Sequence, residues 1–208
     1  MKTKKIMKEQ DIIFILDRSG SMAGIEKDTI NGFNSFIEKY KNDKNTKITT
    51  VLFDDQYEVL YERKNINEVS RLSNEEYYVR GCTALMDAIG RTITSLEKKV
   101  KNNKVLFVIT TDGLENASIE YDKKKVKELI KKHSNWEFIY IGANIDSFSE
   151  AESIGIKSSN AANYKKTATG VNNMFSSIGK AFDYYVEDKK ISTDWKKSLD
   201  EYISNNHE

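Results

Sequence analysis

Five oxygen-bearing side chains in three separate stretches are the residues of this chain that could act together chemically. The first stretch holds Asp17, Ser19 and Ser21 after an apolar run, the second holds Thr83, and the third holds Asp112. Carboxylates and hydroxyls without His or Cys form a ligand set typical of a hard divalent cation. The residue types therefore predict an oxygen-only cation site, provided that the fold brings the three stretches together.

Apolar runs of strand length precede two of these stretches. Residues 11–17, 105–111 and 136–143 form such runs; the first ends at Asp17 and the second is followed at once by Asp112. Continuous apolar runs are typical of parallel strands that are buried on both faces. In an open α/β sheet, ligands bind beyond the carboxyl ends of the strands. We therefore expect the candidate ligands to lie together at that edge of the sheet.

Apolar residues between these runs recur at three- and four-residue steps, the pattern of amphipathic helices. The pattern predicts a helix over residues 25–41, one that follows Thr83 as its N-cap, one that follows Ser118 as its N-cap, and a long helix near the C-terminus. Residues 47–53 and 56–62 are separated by a short turn and predict an antiparallel hairpin. Strands that alternate with helices predict a three-layer, doubly wound α/β fold with a mostly parallel sheet.

The composition does not change along the chain, and this predicts a single domain. No internal repeat or linker interrupts the 208 residues. We expect one domain over residues 11–187, an N-terminal arm over residues 1–10, and a C-terminal extension over residues 188–208 with a short helix and a tail.

Bulk charge and cysteine content restrict the partners that we expect. Lys and Arg number 33 against 32 Asp and Glu, so the overall charge favours neither nucleic acid nor an anionic membrane as a partner. The single cysteine, Cys82, excludes an internal disulfide and suits a reducing compartment. No run approaches the roughly 20 apolar residues of a membrane span. We therefore expect a cytoplasmic protein. The sequence leaves the oligomeric state open, and we expect a monomer.

The small negative charge of the predicted site has a chemical consequence. Mg²⁺ prefers about six oxygen ligands, so five side chains leave at least one position open. Asp17 and Asp112 are its two carboxylates, and two carboxylates leave the bound ion with net positive character. The open position is therefore expected to attract a carboxylate from another molecule.

The motif Asp17-Arg18-Ser19-Gly20-Ser21 resembles the DxSxS signature of the von Willebrand factor A domain family. Thr83 and Asp112 match the two later positions of the family's metal-ion-dependent adhesion site, so all five positions are present. The resemblance covers about residues 8–185. Residues 81–90, 109–118 and 140–146 further resemble the compact, stand-alone A domains of bacteria and their phages.

The resemblance implies a Rossmann-like fold with about six strands, one of them an antiparallel edge strand. It implies Mg²⁺, with Mn²⁺ or Ca²⁺ as substitutes, bound by Ser19, Ser21 and Thr83, with Asp17 and Asp112 coordinated directly or through water. It also implies that an acidic residue of a partner protein completes the coordination. Because the family mostly binds proteins, we expect a binding module without catalytic residues.

A metal-dependent hydrolase or phosphotransferase on a similar fold is the alternative. Such an enzyme needs a nucleophile or base beside the metal. Ser19 stands where a dehalogenase-type enzyme would carry its second aspartate, and no GxxxxGK[ST] phosphate-binding loop occurs. Asp54-Asp55 is interpreted as a hairpin turn rather than a second metal site, and Cys82 as a structural residue. Glu115, near Asp112, is left open between tuning of the site, a contact with the partner and solvent exposure.

Overall fold

A single six-stranded sheet runs through the residues that the computed structural model describes, 9–100, 103–187 and 190–206. The strands are β1 (Gln10–Asp17), β2 (Thr46–Phe53), β3 (Tyr57–Asn65), β4 (Lys104–Thr111), β5 (Glu137–Gly142) and β6 (Ala161–Asn163). Their spatial order is β3-β2-β1-β4-β5-β6. β3 pairs antiparallel with β2, and the other neighbouring pairs are parallel. The predicted mostly parallel sheet with one antiparallel edge strand is confirmed.

Helices cover both faces of this sheet. They are α1 (Glu26–Tyr40), α2 (Leu85–Val100), α3 (Lys123–Lys132), α4 (Ser147–Ser153), α5 (Ala168–Val186) and α6 (Lys197–Ser204). Side chains of α1, α5 and α6 share one apolar core, and side chains of α2, α3 and α4 share a second. The sheet is therefore the middle layer of a three-layer αβα fold.

Strand β1 shows why the sequence folds in this way. Successive side chains of a strand point to opposite faces of its sheet. Ile12, Phe14 and Leu16 lie in the core under α1 and α5. Ile13 and Ile15 lie in the core under α2, and all five side chains are fully buried. A continuous apolar run is therefore required at the centre of the sheet, where both faces are covered.

The starts of two helices differ from the sequence-based expectation. The Ala84 carbonyl accepts the first helical hydrogen bond of α2, so Thr83 lies one residue before the N-cap position. The N-cap of α3 is Asp122, whose side chain accepts a hydrogen bond from the Lys125 amide, and the prediction of Ser118 was wrong. Ser118 Oγ instead accepts a hydrogen bond of 3.0 Å from the Asp87 amide, in the first turn of α2. Such a tertiary contact leaves no local pattern in the sequence.

The chain ends are described in part. Residues 1–8 of the predicted arm, and residues 188–189 and 207–208 of the predicted extension, lie outside the described residues. Within the extension, Trp195 is fully buried in the core that α1 and α5 share. The division into arm, domain and extension stays a prediction. No helix within the described ranges is long and apolar enough to cross a membrane.

Candidate metal centre

The first and third stretches meet because β1 and β4 are adjacent parallel strands. Leu16 of β1 pairs with Thr110 of β4, so the two strands end side by side. Asp17 is the last residue of β1, and Asp112 directly follows the last residue of β4. Ser21 lies in a 3-10 turn, Gly20–Met22, that follows β1.

Hydrogen bonds connect the hydroxyl and carboxylate groups of these two stretches. Ser19 Oγ and Ser21 Oγ are 3.0 Å apart. Ser21 Oγ donates a hydrogen bond of 2.5 Å to Asp112 Oδ1. These oxygens therefore form a continuous polar chain from the end of β1 to the end of β4.

Thr83 faces the same small space. A β-carbon added at Gly113 would lie 3.1 Å from Thr83 Oγ1 and 3.2 Å from Ser21 Oγ, so both hydroxyls border the position that the missing side chain would fill. The structure thus brings together all three stretches that hold the predicted ligands. Their role as metal ligands stays a prediction.

Backbone hydrogen bonds fix the Thr83 stretch against the other two. The Gly20 amide donates to the Gly81 carbonyl at 3.1 Å. The Thr83 amide donates to Asn116 Oδ1 at 2.8 Å, and the Asn116 amide donates to the Thr83 carbonyl at 3.0 Å. Gly81 has a φ of +66°, and a β-carbon there would clash with the Asp55 side chain. A glycine is therefore required at this turn.

The loop after Asp112 also caps the helix that follows Thr83. Glu115 Oε2 accepts a hydrogen bond of 2.8 Å from the Met86 amide at the start of α2. Glu115 Oε1 accepts hydrogen bonds from the amides of Ala117 and Ser118. Glu115 is half-buried, and its carboxylate holds backbone groups in place. Full solvent exposure therefore does not describe this residue, its contacts support the loops of the site, and a contact with a partner stays a prediction.

Asp17 is a fully buried carboxylate. Its Oδ1 accepts a hydrogen bond of 2.7 Å from the Ser19 amide, and its Oδ2 accepts one of 2.5 Å from Thr111 Oγ1. Burial raises the pKa of Asp17 to about 6, the hydrogen bonds from Ser19 and Thr111 oppose this rise, and the negative charge of Asp112 adds to it. A cation bound beside Asp17 would relieve this cost by favouring the ionised form.

Lys166, in the loop between β6 and α5, is a site residue that sequence reasoning missed. Its Nζ lies 2.8 Å from Asp112 Oδ2, and it also donates to the Ser21 carbonyl. Asp112 Oδ2 is buried and has no partner that satisfies hydrogen-bond geometry within the described part of the chain. The contact is therefore an ion pair rather than a well-aligned hydrogen bond. A lysine in a polar loop gives no sequence signal for this placement.

Asp54 is a buried ion-pair partner and not a second metal ligand. Its Oδ2 accepts from Arg18 Nε at 2.9 Å and from Arg80 Nε at 2.7 Å, and both Asp54 and Arg18 are fully buried. Burial would raise the pKa of Asp54, but the hydrogen bond from Arg80 and the charge of Arg18 hold it below its usual value. The interpretation of Asp54-Asp55 as the turn of the β2–β3 hairpin agrees with the observed strand pairing.

The donor set of the centre fits a hard divalent cation. Within residues 9–100, 103–187 and 190–206, no group of three or more His, Cys, Asp or Glu side chains is arranged to hold a metal. A metal at this centre would therefore need the hydroxyls as well as the two carboxylates. Asp17, Ser19, Thr83 and Asp112 are buried, whereas Ser21 is exposed. The centre thus opens to solvent on the side of Ser21, and Leu114, two residues after Asp112, is 58% exposed.

Residues 11–178 match the model of the von Willebrand factor type A domain, and the chain therefore belongs to this family. No curated protein sequence matches the chain.

Solved structures show the same fold at low sequence identity. The pilus adhesin SpaC from Lactobacillus rhamnosus GG, in its open conformation, superposes with a TM-score of 0.71 at 13% identity, over 88% of this chain and 31% of that chain. A von Willebrand factor type A protein from Catenulispora acidiphila gives a TM-score of 0.62 at 14% identity, over 83% and 42% of the two chains.

The proximal thread matrix protein 1 of the mussel byssus, whose metal-ion-dependent adhesion site is occupied by zinc, gives a TM-score of 0.60 at 16% identity, over 83% and 45% of the two chains. The present chain therefore spans less than half the length of each of these three relatives.

Proposed function

We propose that the chain is a protein-binding module that depends on a divalent metal. The metal-ion-dependent adhesion site would be complete and consist of Asp17, Ser19, Ser21, Thr83 and Asp112. The observation that carries this proposal is the convergence of the three loops: Ser21 Oγ lies 2.5 Å from Asp112 Oδ1, and the Thr83 hydroxyl borders the same space.

The chemistry of the donors favours Mg²⁺ as the resident ion, with Mn²⁺ or Ca²⁺ as substitutes. The hydroxyls of Ser19, Ser21 and Thr83 and the carboxylates of Asp17 and Asp112 would hold it. A bound ion would supply an electropositive ligand position that an acid group can enter. The two carboxylates balance the formal charge of a divalent ion, but the three hydroxyl ligands are neutral. The ion would therefore still attract a negatively charged ligand at its open position.

The partner would therefore present an Asp or Glu side chain to the open side of the centre. Exposure of Ser21 supports approach from that side, and the exposed Leu114, two residues after Asp112, offers an apolar contact. We propose no catalytic role, because the two carboxylates of the centre, Asp17 and Asp112, would both serve as ligands of the metal and neither would be left as a base. We further propose a compact, cytoplasmic monomer of the bacterial or phage type, with neither nucleic acid nor membrane as a partner.

Calorimetric titration of the chelator-treated protein with Mg²⁺ tests the metal site. The wild type should bind one ion, and Ser19→Ala and Asp112→Asn should lose most of this affinity while circular dichroism shows an intact fold. Asp200→Asn, on the exposed face of α6, is the matched control and should bind as the wild type does. Unchanged affinity in both site variants would contradict the assignment.

Capture of a partner tests the binding function. The immobilised protein should retain a native partner with Mg²⁺ and release it with chelator. Replacing the responsible Glu or Asp of that partner by Gln or Asn should abolish capture. Metal-dependent hydrolysis of phosphoesters that disappears in Asp112→Asn would instead favour the enzyme alternative.

A further inference from the structure

The metal centre contains a cation supplied by the protein itself. Lys166 Nζ lies 2.8 Å from Asp112 Oδ2, and the same ammonium group donates to the Ser21 carbonyl. Asp112 and Ser21 belong to the predicted ligand set, so the lysine spans two of the three loops. The Lys166 side chain is 23% exposed, whereas that of Asp112 is fully buried.

The two oxygens of Asp112 are thereby both in use. Oδ1 accepts the hydrogen bond from Ser21 Oγ, and Oδ2 faces the ammonium group. A buried carboxylate without a positive partner is costly. The ion pair with Lys166 therefore stabilises Asp112, and with it the assembled loops, when no metal is bound.

We infer that Lys166 sets the metal affinity of this centre by competing with the divalent cation for Asp112. This inference rests on the proposed function, because it assumes that the centre binds a metal. If a divalent ion displaces Lys166 from Asp112, its binding free energy must offset the loss of the ion pair. If Lys166 stays in place, the ion is repelled by the ammonium charge. Either effect weakens metal binding relative to a centre without the lysine.

The ion pair also bears on how a metal would bind. The ammonium group takes over part of the neutralisation that a metal would provide. Metal binding then exchanges one cation for another, and needs no large rearrangement of the loops. A displaced Lys166 side chain would have space beside it, since Lys166 lines a cleft of about 580 Å³ together with Asn144, Asp146 and Ile203.

Removal of the positive charge at position 166 tests the inference. Lys166→Gln should bind Mg²⁺ about tenfold more tightly than the wild type in calorimetric titration, because it removes the positive charge that competes for Asp112 Oδ2. Lys166→Arg keeps the charge and should bind close to the wild type. Lys165→Gln is the matched control, since Lys165 Nζ donates to the Asn206 carbonyl and not to the centre. This control should leave the affinity unchanged.

A second measurement follows the metal-free protein. In the presence of chelator, Lys166→Gln should lower the melting temperature by about 2–4 °C. In the titration with Mg²⁺, Lys165→Gln should not show the higher affinity expected of Lys166→Gln. Equal or weaker Mg²⁺ binding by Lys166→Gln, with normal binding by the wild type, would overturn the competition and leave the proposed function intact. Absence of Mg²⁺ binding by the wild type would overturn both.

Discussion

Replacement of Asp17 by asparagine is expected to stabilise the metal-free protein and to abolish its response to Mg²⁺. Asp17 is fully buried, and its pKa is raised from 3.8 to about 6. The native state therefore holds this proton more tightly than the unfolded chain does. The contribution of Asp17 to the stability of the metal-free protein must then fall as the pH rises from about 4 to about 7.

The magnitude follows from the pKa difference. About two pKa units, at 1.36 kcal/mol each, correspond to about 3 kcal/mol of unfolding free energy at neutral pH. An asparagine cannot ionise and avoids this cost. The asparagine carbonyl can accept the hydrogen bond from the Ser19 amide, and the asparagine NH₂ group can donate one to Thr111 Oγ1. The Ser19 amide and the Thr111 hydroxyl therefore both stay hydrogen-bonded.

Urea unfolding at several pH values measures the effect. With chelator at pH 7.5, Asp17→Asn should exceed the wild type in unfolding free energy by up to about 3 kcal/mol, and the difference should shrink toward zero near pH 4. With Mg²⁺ at about 100 times its Kd, the wild type should gain about 2.7 kcal/mol and the variant nothing. Asp200→Asn should follow the wild type throughout. A variant less stable than the wild type in chelator, or one stabilised by Mg²⁺, would refute the reasoning.

Three further substitutions probe the packing around the centre. Gly113→Ala should weaken Mg²⁺ binding about tenfold in calorimetric titration, because its β-carbon would lie 3.1 Å from Thr83 Oγ1; unchanged affinity would mean that this space is not used. Asp54→Ala should cost about 3–5 kcal/mol in urea unfolding, since it removes the buried carboxylate that pairs with both Arg18 and Arg80 and leaves the fully buried Arg18 with Glu58 as its remaining carboxylate; a cost below 1 kcal/mol would contradict the ion-pair role. Phe14→Ala should cost about 3–5 kcal/mol by the same assay, with an unchanged Kd for Mg²⁺.

Strands and helices that are determined by the pattern of their own residues could be predicted from the sequence. The apolar run before Asp17 is long enough for a strand and contains no polar face, so it had to lie at the centre of the sheet. The two strands that end at Asp17 and Asp112 were expected to finish at the same edge, and they are direct neighbours. The expectation that ligands collect at the carboxyl edge of a doubly wound sheet is what made the three distant stretches predictable as one centre.

Contacts between loops could not be predicted, because they depend on side chains that are distant in sequence. Glu115 and Ser118 cap α2, although both follow β4 in the chain. Lys166 reaches Asp112 from the loop before α5. Long polar side chains in loops have no periodicity, and the fold alone decides which of them meet.

The capping of α2 by Glu115 and Ser118 has a consequence for engineering. The segments around Thr83 and Asp112 are joined by the paired hydrogen bonds of Asn116 as well as by the helix cap. The two segments should therefore be exchanged between related proteins together, as one unit. A chimera that exchanged either segment alone would break the helix start and displace the threonine, whereas a transplant of both together would carry its own support.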